Sequence, residues 1–200
     1  MDTYQIVLTF TEPLLGTVPL NEEVYKDYIQ SKRPDGPEGI EDELETLTVD
    51  EEMEKGTTGF HRIDGVPILY DYVIKGFFKD ACGMLRRTSD SASAKLPAYR
   101  KVIDGLVFAK PRQIPISVNG AEFMLERPLR AQTAQGERVA LARSEALPIG
   151  SSLEFTILVL GTVKQSLLEE WLTYGALRGL GQWRSASYGS FVYQIKHLTA

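Results

Sequence analysis

The sixteen residues from Gly175 to Ser190 constrain the fold of this chain most, because they separate the last helical pattern from the last strand pattern. They include four glycines, at positions 175, 179, 181 and 189, with Arg178, Trp183, Arg184 and Tyr188 between them. Such a loop can direct backbone N–H groups and guanidinium groups to phosphates while an aromatic ring stacks on a base. An ordinary glycine-rich turn with Trp183 in the core explains the composition equally well.

The rest of the chain alternates between strand and helix patterns. Residues 4–11 alternate apolar and polar side chains, as a half-buried strand does, and Phe77, Phe78, Ala81, Met84 and Leu85 share one face of a helix. Further apolar patterns predict strands within 99–118, interrupted at 110–112, a strand within 147–160, a helix over 164–175 that stops at Gly175, and a last strand over 191–195. This order predicts an α+β fold with a ferredoxin-like core.

We expect one domain over residues 1–200 with two insertions. The first, at about residues 32–56, contains eight acidic residues between Ile40 and Lys55, on a sparse apolar stripe typical of an exposed helix, and a short helix over 22–31 precedes it. A solvated face explains these carboxylates better than a metal site, since they include neither a glycine-centred calcium loop nor a histidine. The second insertion, at about residues 120–146, is predicted to be a projecting hairpin that pairs 127–133 with 137–145.

Charge is distributed unevenly along the chain. The net charge is −5, but residues 1–60 contain 15 acidic and 4 basic residues while residues 61–200 contain 12 acidic and 18 basic ones. A local basic surface matters more for binding phosphates than the overall charge does. The acidic average therefore weakens a nucleic-acid interpretation without removing it.

The basic residues form two groups. Arg127, Arg130, Arg138 and Arg143 lie on the predicted hairpin and are the densest basic group. Lys75 and Lys79 precede or begin the predicted helix at Phe77, after a hairpin with a turn at Asp64-Gly65 whose second strand reaches Val73. Cations at a helix N-terminus oppose the helix dipole, so we expect these lysines to serve an anionic ligand.

Few residues suit catalysis. His61 is one of two histidines, and with Lys75 and Arg62 it could support a metal-independent endoribonuclease, although a structural role is commoner for a single histidine. We expect His197 to be inert, and Cys82 to be a small core residue rather than a reactive thiol. No motif for a nucleotide or zinc hydrolase is present, and we expect no cofactor and no metal. Without a signal peptide or a long apolar run, a cytoplasmic location is expected, in a bacterial or phage-infected cell.

Three segments resemble the RAMP superfamily of CRISPR-associated proteins. Residues 74–81, Ile-Lys-Gly-Phe-Phe-Lys-Asp-Ala, look like its strand-to-helix Lys-Gly signature. Residues 148–155, Pro-Ile-Gly-Ser-Ser-Leu-Glu-Phe, look like its Pro-x-Gly-strand element. Residues 179–191 look like its C-terminal glycine-rich loop.

The resemblance implies a core like that of an RNA-recognition motif, with a glycine-rich loop and a projecting hairpin that grip a guide RNA. Some members of the superfamily cleave RNA with a histidine. The family's binding positions match this sequence at Lys75, Gly179, Gly181, Arg184 and Gly189. The acidic insertion departs from the family pattern, which leaves a stand-alone relative from a phage or prophage as a second interpretation.

The sequence therefore favours a non-catalytic protein that binds single-stranded RNA or DNA. We expect the contacts to come from the residues collected here: Lys75, Lys79, Arg127, Arg130, Arg138, Arg143, Arg178, Gly179, Gly181, Trp183, Arg184, Tyr188 and Gly189. Homo-oligomers or related subunits are the expected protein partners, and no membrane is expected. Two alternatives stay open: an endoribonuclease that uses His61, and a protein-interaction module that mimics nucleic acid through its acidic insertion.

Overall fold

The computed structural model describes residues 1–20, 56–133, 136–161 and 163–198, with the side chains of residues 129–140 excluded. The predicted helices over 22–31 and 40–55 lie outside the described residues. The chain divides into two compact units: residues 1–14, 61–121 and 147–200 form the first, and residues 15–60 and 122–146 form the second. The expectation of a single domain with two insertions stays a prediction.

The first unit contains a seven-stranded sheet. Its strands are β1 (Asp2–Phe10), β5 (His61–Ile63), β6 (Val66–Tyr70), β7 (Val107–Lys110), β8 (Gln113–Ser117), β11 (Ser152–Val159) and β12 (Phe191–Leu198). The order across the sheet is β12-β1-β11-β8-β6-β5, with β7 also paired to β11. β1 is antiparallel to both of its neighbours, β11 and β12.

Three α-helices lie in the described part of the chain, all in the first unit: α1 (Asp71–Leu85), α2 (Tyr99–Leu106) and α3 (Gln165–Arg178). Short 3-10 turns occupy Ala92–Lys95 and Arg184–Ala186. The sequence β1, α1, β7 with β8, β11, α3, β12 is the β-α-β-β-α-β order of a ferredoxin-like core. The predicted α+β fold class is therefore confirmed.

The core of the first unit follows from the alternation in β1. Tyr4, Ile6, Leu8 and Phe10 are all buried, and the positions between them are partly exposed. The helices supply aromatic partners: the ring centroids of Phe78 and Trp171 lie 5.3 Å apart, and those of Phe77 and Phe191 lie 6.1 Å apart. Trp171 donates its indole N–H to Ser93 Oγ over 3.0 Å, which satisfies the polar edge of the buried ring.

The second unit is built on the predicted hairpin. Strands β9 (Phe123–Thr133) and β10 (Gly136–Leu147) pair antiparallel from Thr133 opposite Gly136 to Phe123 opposite Ala146, so the predicted pairing is confirmed and extends further than expected. Among the described residues, three two-residue strands join them in a five-stranded sheet: β2 (Leu14–Leu15), β3 (Val18–Pro19) and β4 (Thr58–Gly59).

Three predicted boundaries are wrong. β6 ends at Tyr70 and α1 begins at Asp71, so the Lys-Gly segment lies within the helix and not at its start. Residues 99–106, predicted to be a strand, form α2, which buries Ile103. Gly175 does not end α3, which continues to Arg178. The glycine lies within the helix, where the absence of a side chain allows the Phe77 and Phe191 rings to pack closely against it.

Within the described residues, no helix is both long enough and apolar enough to span a membrane.

Candidate nucleic-acid interface

The glycine-rich loop is closed at its base by backbone contacts. The Leu180 N–H donates to Gly189 O over 3.0 Å, and the Gly189 N–H donates to Pro13 O over 2.9 Å. Gly189 has a φ of 70°, and a Cβ there would collide with the Leu180 carbonyl oxygen. Glycine is therefore required where the two ends of the loop meet.

Trp183 and Tyr188 stack on each other within this loop. Their ring centroids are 5.1 Å apart and their planes differ by 10°. Trp183 (φ 53°) and Ser187 (φ 66°) both adopt left-handed backbone, which folds the loop so that the two rings meet. Both rings are half-buried, so Trp183 is not a core residue. The stack is a flat aromatic surface of the kind on which unpaired bases pack.

Arg184 is held by an ion pair with α1. Its Nη1 lies 2.8 Å from Asp80 Oδ2, and both side chains are about one-third exposed, at 31% and 38%. Exposed ion pairs of this kind contribute only about 0–1 kcal/mol, so a phosphate can compete for the guanidinium group. Arg178 lies in the last turn of α3, where a cation is favourable for the helix dipole.

Lys75 and Lys79 both contact α2. Lys79 Nζ lies 2.8 Å from Asp104 Oδ1, and Lys75 Nζ donates to the Asp104 carbonyl oxygen over 3.1 Å and lies 4.8 Å from the Phe108 ring centroid. Because α1 begins at Asp71, neither lysine occupies the first turn of the helix. The expectation that they oppose the helix dipole is wrong, and their contacts with α2 give each of them a structural role.

The hairpin arginines of the second unit have different environments. Arg127 is buried, with 8% of its surface exposed. Arg143 forms a 2.7 Å ion pair with Glu126, the residue directly opposite on β9. Arg130 and Arg138 lie on β9 and β10, but their side chains are outside the described part. Buried and paired arginines are less available to phosphates than a count of basic residues suggests.

His61, His197 and Cys82 are each packed against other side chains. The His61 ring meets the Tyr70 ring edge to face with centroids 5.0 Å apart, and burial lowers the pKa of His61. His197 lies 4.9 Å from the Tyr4 ring and 3.9 Å from Asp2. Cys82 is fully buried and its pKa is raised by burial, which confirms the core interpretation. Catalysis by His61 stays a hypothesis.

Sequence reasoning missed two groups. Tyr70 and Tyr72 stack at the junction of β6 and α1 with centroids 5.4 Å apart, and Tyr72 is 60% exposed. A second group lies near Tyr99: the guanidinium carbons of Arg86 and Arg100 are 5.2 Å and 5.8 Å from its ring centroid, and Arg87 lines a cleft together with Tyr99 and Arg100. The paired basic residues at 86–87 and 100–101 were a signal for this group, but assigning 99–106 to a strand hid it.

The fold and the loop together define an α+β protein with a ferredoxin-like core and a glycine-rich loop before its last strand. No family model and no curated protein matches the sequence. Among solved structures, the chain is similar to one in the cryo-EM structure of the type III-B Cmr-beta bound to cognate target RNA. That similarity has a TM-score of 0.52 and 12% identity, and it covers 99% of this chain and 61% of the other.

A second similarity is to a chain of a type IV-B CRISPR complex, with a TM-score of 0.48 and 10% identity over 97% of this chain and 90% of the other. The chain spans about 61% of the length of the Cmr-beta chain that it matches. At this level of identity the likeness shows the fold alone. The ferredoxin-like core that the sequence resemblance implied is confirmed by the order of the elements and by the likeness to the Cmr-beta chain.

Proposed function

We propose that this protein binds single-stranded nucleic acid through its glycine-rich loop, without catalysis. The observation that carries the proposal is the stacked pair of Trp183 and Tyr188 on a loop whose ends are closed by Leu180 and Gly189. A preorganised aromatic surface beside an arginine suits a strand with unpaired bases, because base-aromatic stacking tolerates any sequence. The similarity to a chain in a complex that holds target RNA supports this proposal.

Arg184 supplies the phosphate contact in this proposal. Arg184 follows Trp183 directly in the chain, and its pair with Asp80 fixes the guanidinium group before a strand arrives. A phosphate that takes over this arginine forms charge-assisted, bidentate hydrogen bonds, which are stronger than an exposed ion pair in water. The pair with Asp80 thus makes binding competitive and sensitive to the charge of residue 80.

The hairpin of the second unit and self-association complete the proposal. Basic residues on β9 and β10 add sequence-independent phosphate contacts, whose effect on affinity adds to that of the loop through counterion release. The opposite charges of residues 1–60 and 61–200 suit a head-to-tail contact between copies along one strand. A stand-alone relative of phage or prophage origin fits such a coating role.

The test is binding of labelled single-stranded RNA and DNA, with a duplex of the same sequence for comparison. Stacking is worth about 1–3 kcal/mol per base, so Trp183→Ala should weaken single-strand binding by about 5- to 150-fold, whereas Trp183→Phe, which keeps a ring, should retain most of the affinity. Equal affinity for the duplex, or no effect of Trp183→Ala, would contradict the proposal.

The ion pair between Arg184 and Asp80 can be tested with two variants that are expected to change the binding affinity in opposite directions. Arg184→Ala should weaken binding because it removes a phosphate contact and leaves Asp80 without its partner. Asp80→Asn should strengthen binding, because it releases Arg184 and removes a negative charge from the same place. If both variants weaken binding equally, binding requires the intact ion pair, and Arg184 does not exchange Asp80 for a phosphate group.

A further inference from the structure

A cleft of about 470 Å³ lies between α1 and α2 in the first unit. One wall is the side of α1 that contains Lys79 and Gly83, together with Arg87 just beyond the helix end. Tyr99, Arg100 and Asp104 of α2 form the other wall. Its volume is in the range of sites for small ligands, and its lining is rich in charge.

The acidic residues of the cleft already have cationic partners. Asp104 pairs with Lys79 over 2.8 Å, and Asp80, which also lines the cleft, pairs with Arg184 over 2.8 Å. Among the residues that the structure describes, Arg87 and Arg100 form no ion pair. Two positive charges are therefore left without acidic partners on the cleft walls.

Tyr99 positions one of these two arginines. Arg100 Nε donates to Tyr99 Oη over 3.3 Å, and the guanidinium carbon lies 5.8 Å from the ring centroid. This bond uses one of the five N–H donors of the arginine, and it leaves the hydroxyl hydrogen of Tyr99 to donate elsewhere. Gly83 allows the hydroxyl to approach α1, since a Cβ at residue 83 would lie 2.8 Å from Tyr99 Oη.

We propose that this cleft is a binding site for a phosphate group, with Arg87 and Arg100 as the charged donors and Tyr99 Oη as a neutral donor. Guanidinium groups match the geometry of phosphate oxygens, and two of them supply the charge that a phosphate needs. The phosphate belongs either to a nucleic-acid strand or to a free nucleotide. The first case rests on the function proposed above, and the second does not.

A purely structural role for Arg87 makes a different prediction. Cations near the last turn of a helix stabilise its dipole, and Arg87 lies two residues beyond the end of α1. On that account its removal lowers the stability of the protein without ligand and leaves any phosphate binding unchanged. Binding and thermal unfolding must therefore be measured on the same variants.

The experiment uses calorimetric titration at constant ionic strength with three probes: inorganic pyrophosphate, ADP and a single-stranded twelve-nucleotide RNA. The variants are Arg87→Ala, Arg100→Ala and the control Lys101→Ala, which removes the same charge one residue away from the cleft lining. Charge-assisted hydrogen bonds predict a loss of about tenfold or more for each arginine and of less than about twofold for Lys101→Ala. If Arg100→Ala fails to fold, Arg100→Lys replaces it, and it should bind more weakly than the wild type because it loses the planar fork.

Each outcome decides one point. Saturable binding of pyrophosphate or ADP that needs both arginines identifies a free nucleotide as the source. Loss confined to the RNA identifies a phosphate of the strand. If Lys101→Ala matches Arg100→Ala with every probe, or if no probe responds to Arg87 or Arg100, the cleft is not a phosphate site. RNA that fails to bind the wild type sinks the function proposed above, whereas the pyrophosphate and ADP titrations still test the cleft.

Discussion

Gly189 shows how one residue sets the geometry of the loop. It has positive φ, and its Cα faces the Leu180 carbonyl oxygen so closely that no side chain fits. Gly65, in the turn between β5 and β6, also has positive φ (81°), but nothing lies within 4 Å of a Cβ at that position. A comparison of substitutions at the two positions therefore separates the free-energy cost of a left-handed backbone from the cost of a steric collision.

We predict that Gly189→Ala is more destabilising than Gly65→Ala. A left-handed alanine costs about 1–2 kcal/mol at either position, and the collision at residue 189 adds at least about 1 kcal/mol more or opens the loop. Urea unfolding measures the difference, and oligonucleotide binding should weaken only for Gly189→Ala. Equal losses of stability at the two positions would show that the loop relaxes around a side chain.

At the scale of elements, α1 and the β9–β10 hairpin carry most of the basic residues that the sequence singled out. The helix places Lys75 and Lys79 against α2, and the hairpin places Arg143 opposite Glu126. Residues that look alike in sequence therefore differ in their availability to phosphate. The hairpin residues whose side chains lie outside the described part, Arg130 and Arg138, are the ones to test.

We predict that replacing Arg130 and Arg138 by alanine weakens oligonucleotide binding and makes its salt dependence shallower. Each lost phosphate contact on a single strand reduces the slope of log K against log salt by about 0.7, so the double variant should lose about 1.4. The control double variant, Lys110→Ala with Lys196→Ala, removes the same charge from exposed sheet residues of the first unit. An unchanged slope in the hairpin variant would mean that neither arginine contacts phosphate.

At the scale of the whole molecule, the charge asymmetry of the chain concerns assembly. Residues 1–60 carry a net charge of −11 and residues 61–200 carry +6, and the proposed head-to-tail association rests on this difference. A heterologous contact of this kind closes into a ring or continues as a filament. If the asymmetry serves solubility alone, the protein does not associate.

We predict that sedimentation at low salt shows species larger than the 22.3 kDa monomer. Single-stranded oligonucleotide should enlarge these species, because neighbouring copies share one strand, and high salt should dissolve them, because it screens the attraction. The control is an oligonucleotide too short for two copies. If the protein sediments as a monomer under all conditions, it binds nucleic acid as a single copy and the prediction of a filament is wrong.

The sequence by itself determined the features that depend on local patterns. Alternation predicted β1, a long apolar run predicted β11, the 3.6-residue period predicted the bodies of α1 and α3, and turn residues predicted the bend at Asp64-Gly65. The order of these elements, together with the resemblance of three segments to a known superfamily, led to the ferredoxin-like core. Boundaries at residues 71 and 99 were missed, because a short apolar run suits a strand and a buried helix equally well.

Only the tertiary structure decided which charged groups meet. Asp80 pairs with Arg184 across 104 residues of chain, and Arg87 and Arg100 line one cleft only because α2 is a helix packed near α1. The sequence does not show which charged side chains form ion pairs, because residues far apart in the chain come together only when it folds. For the same reason a buried Arg127 and a partly exposed Arg184 look equivalent until the chain is folded.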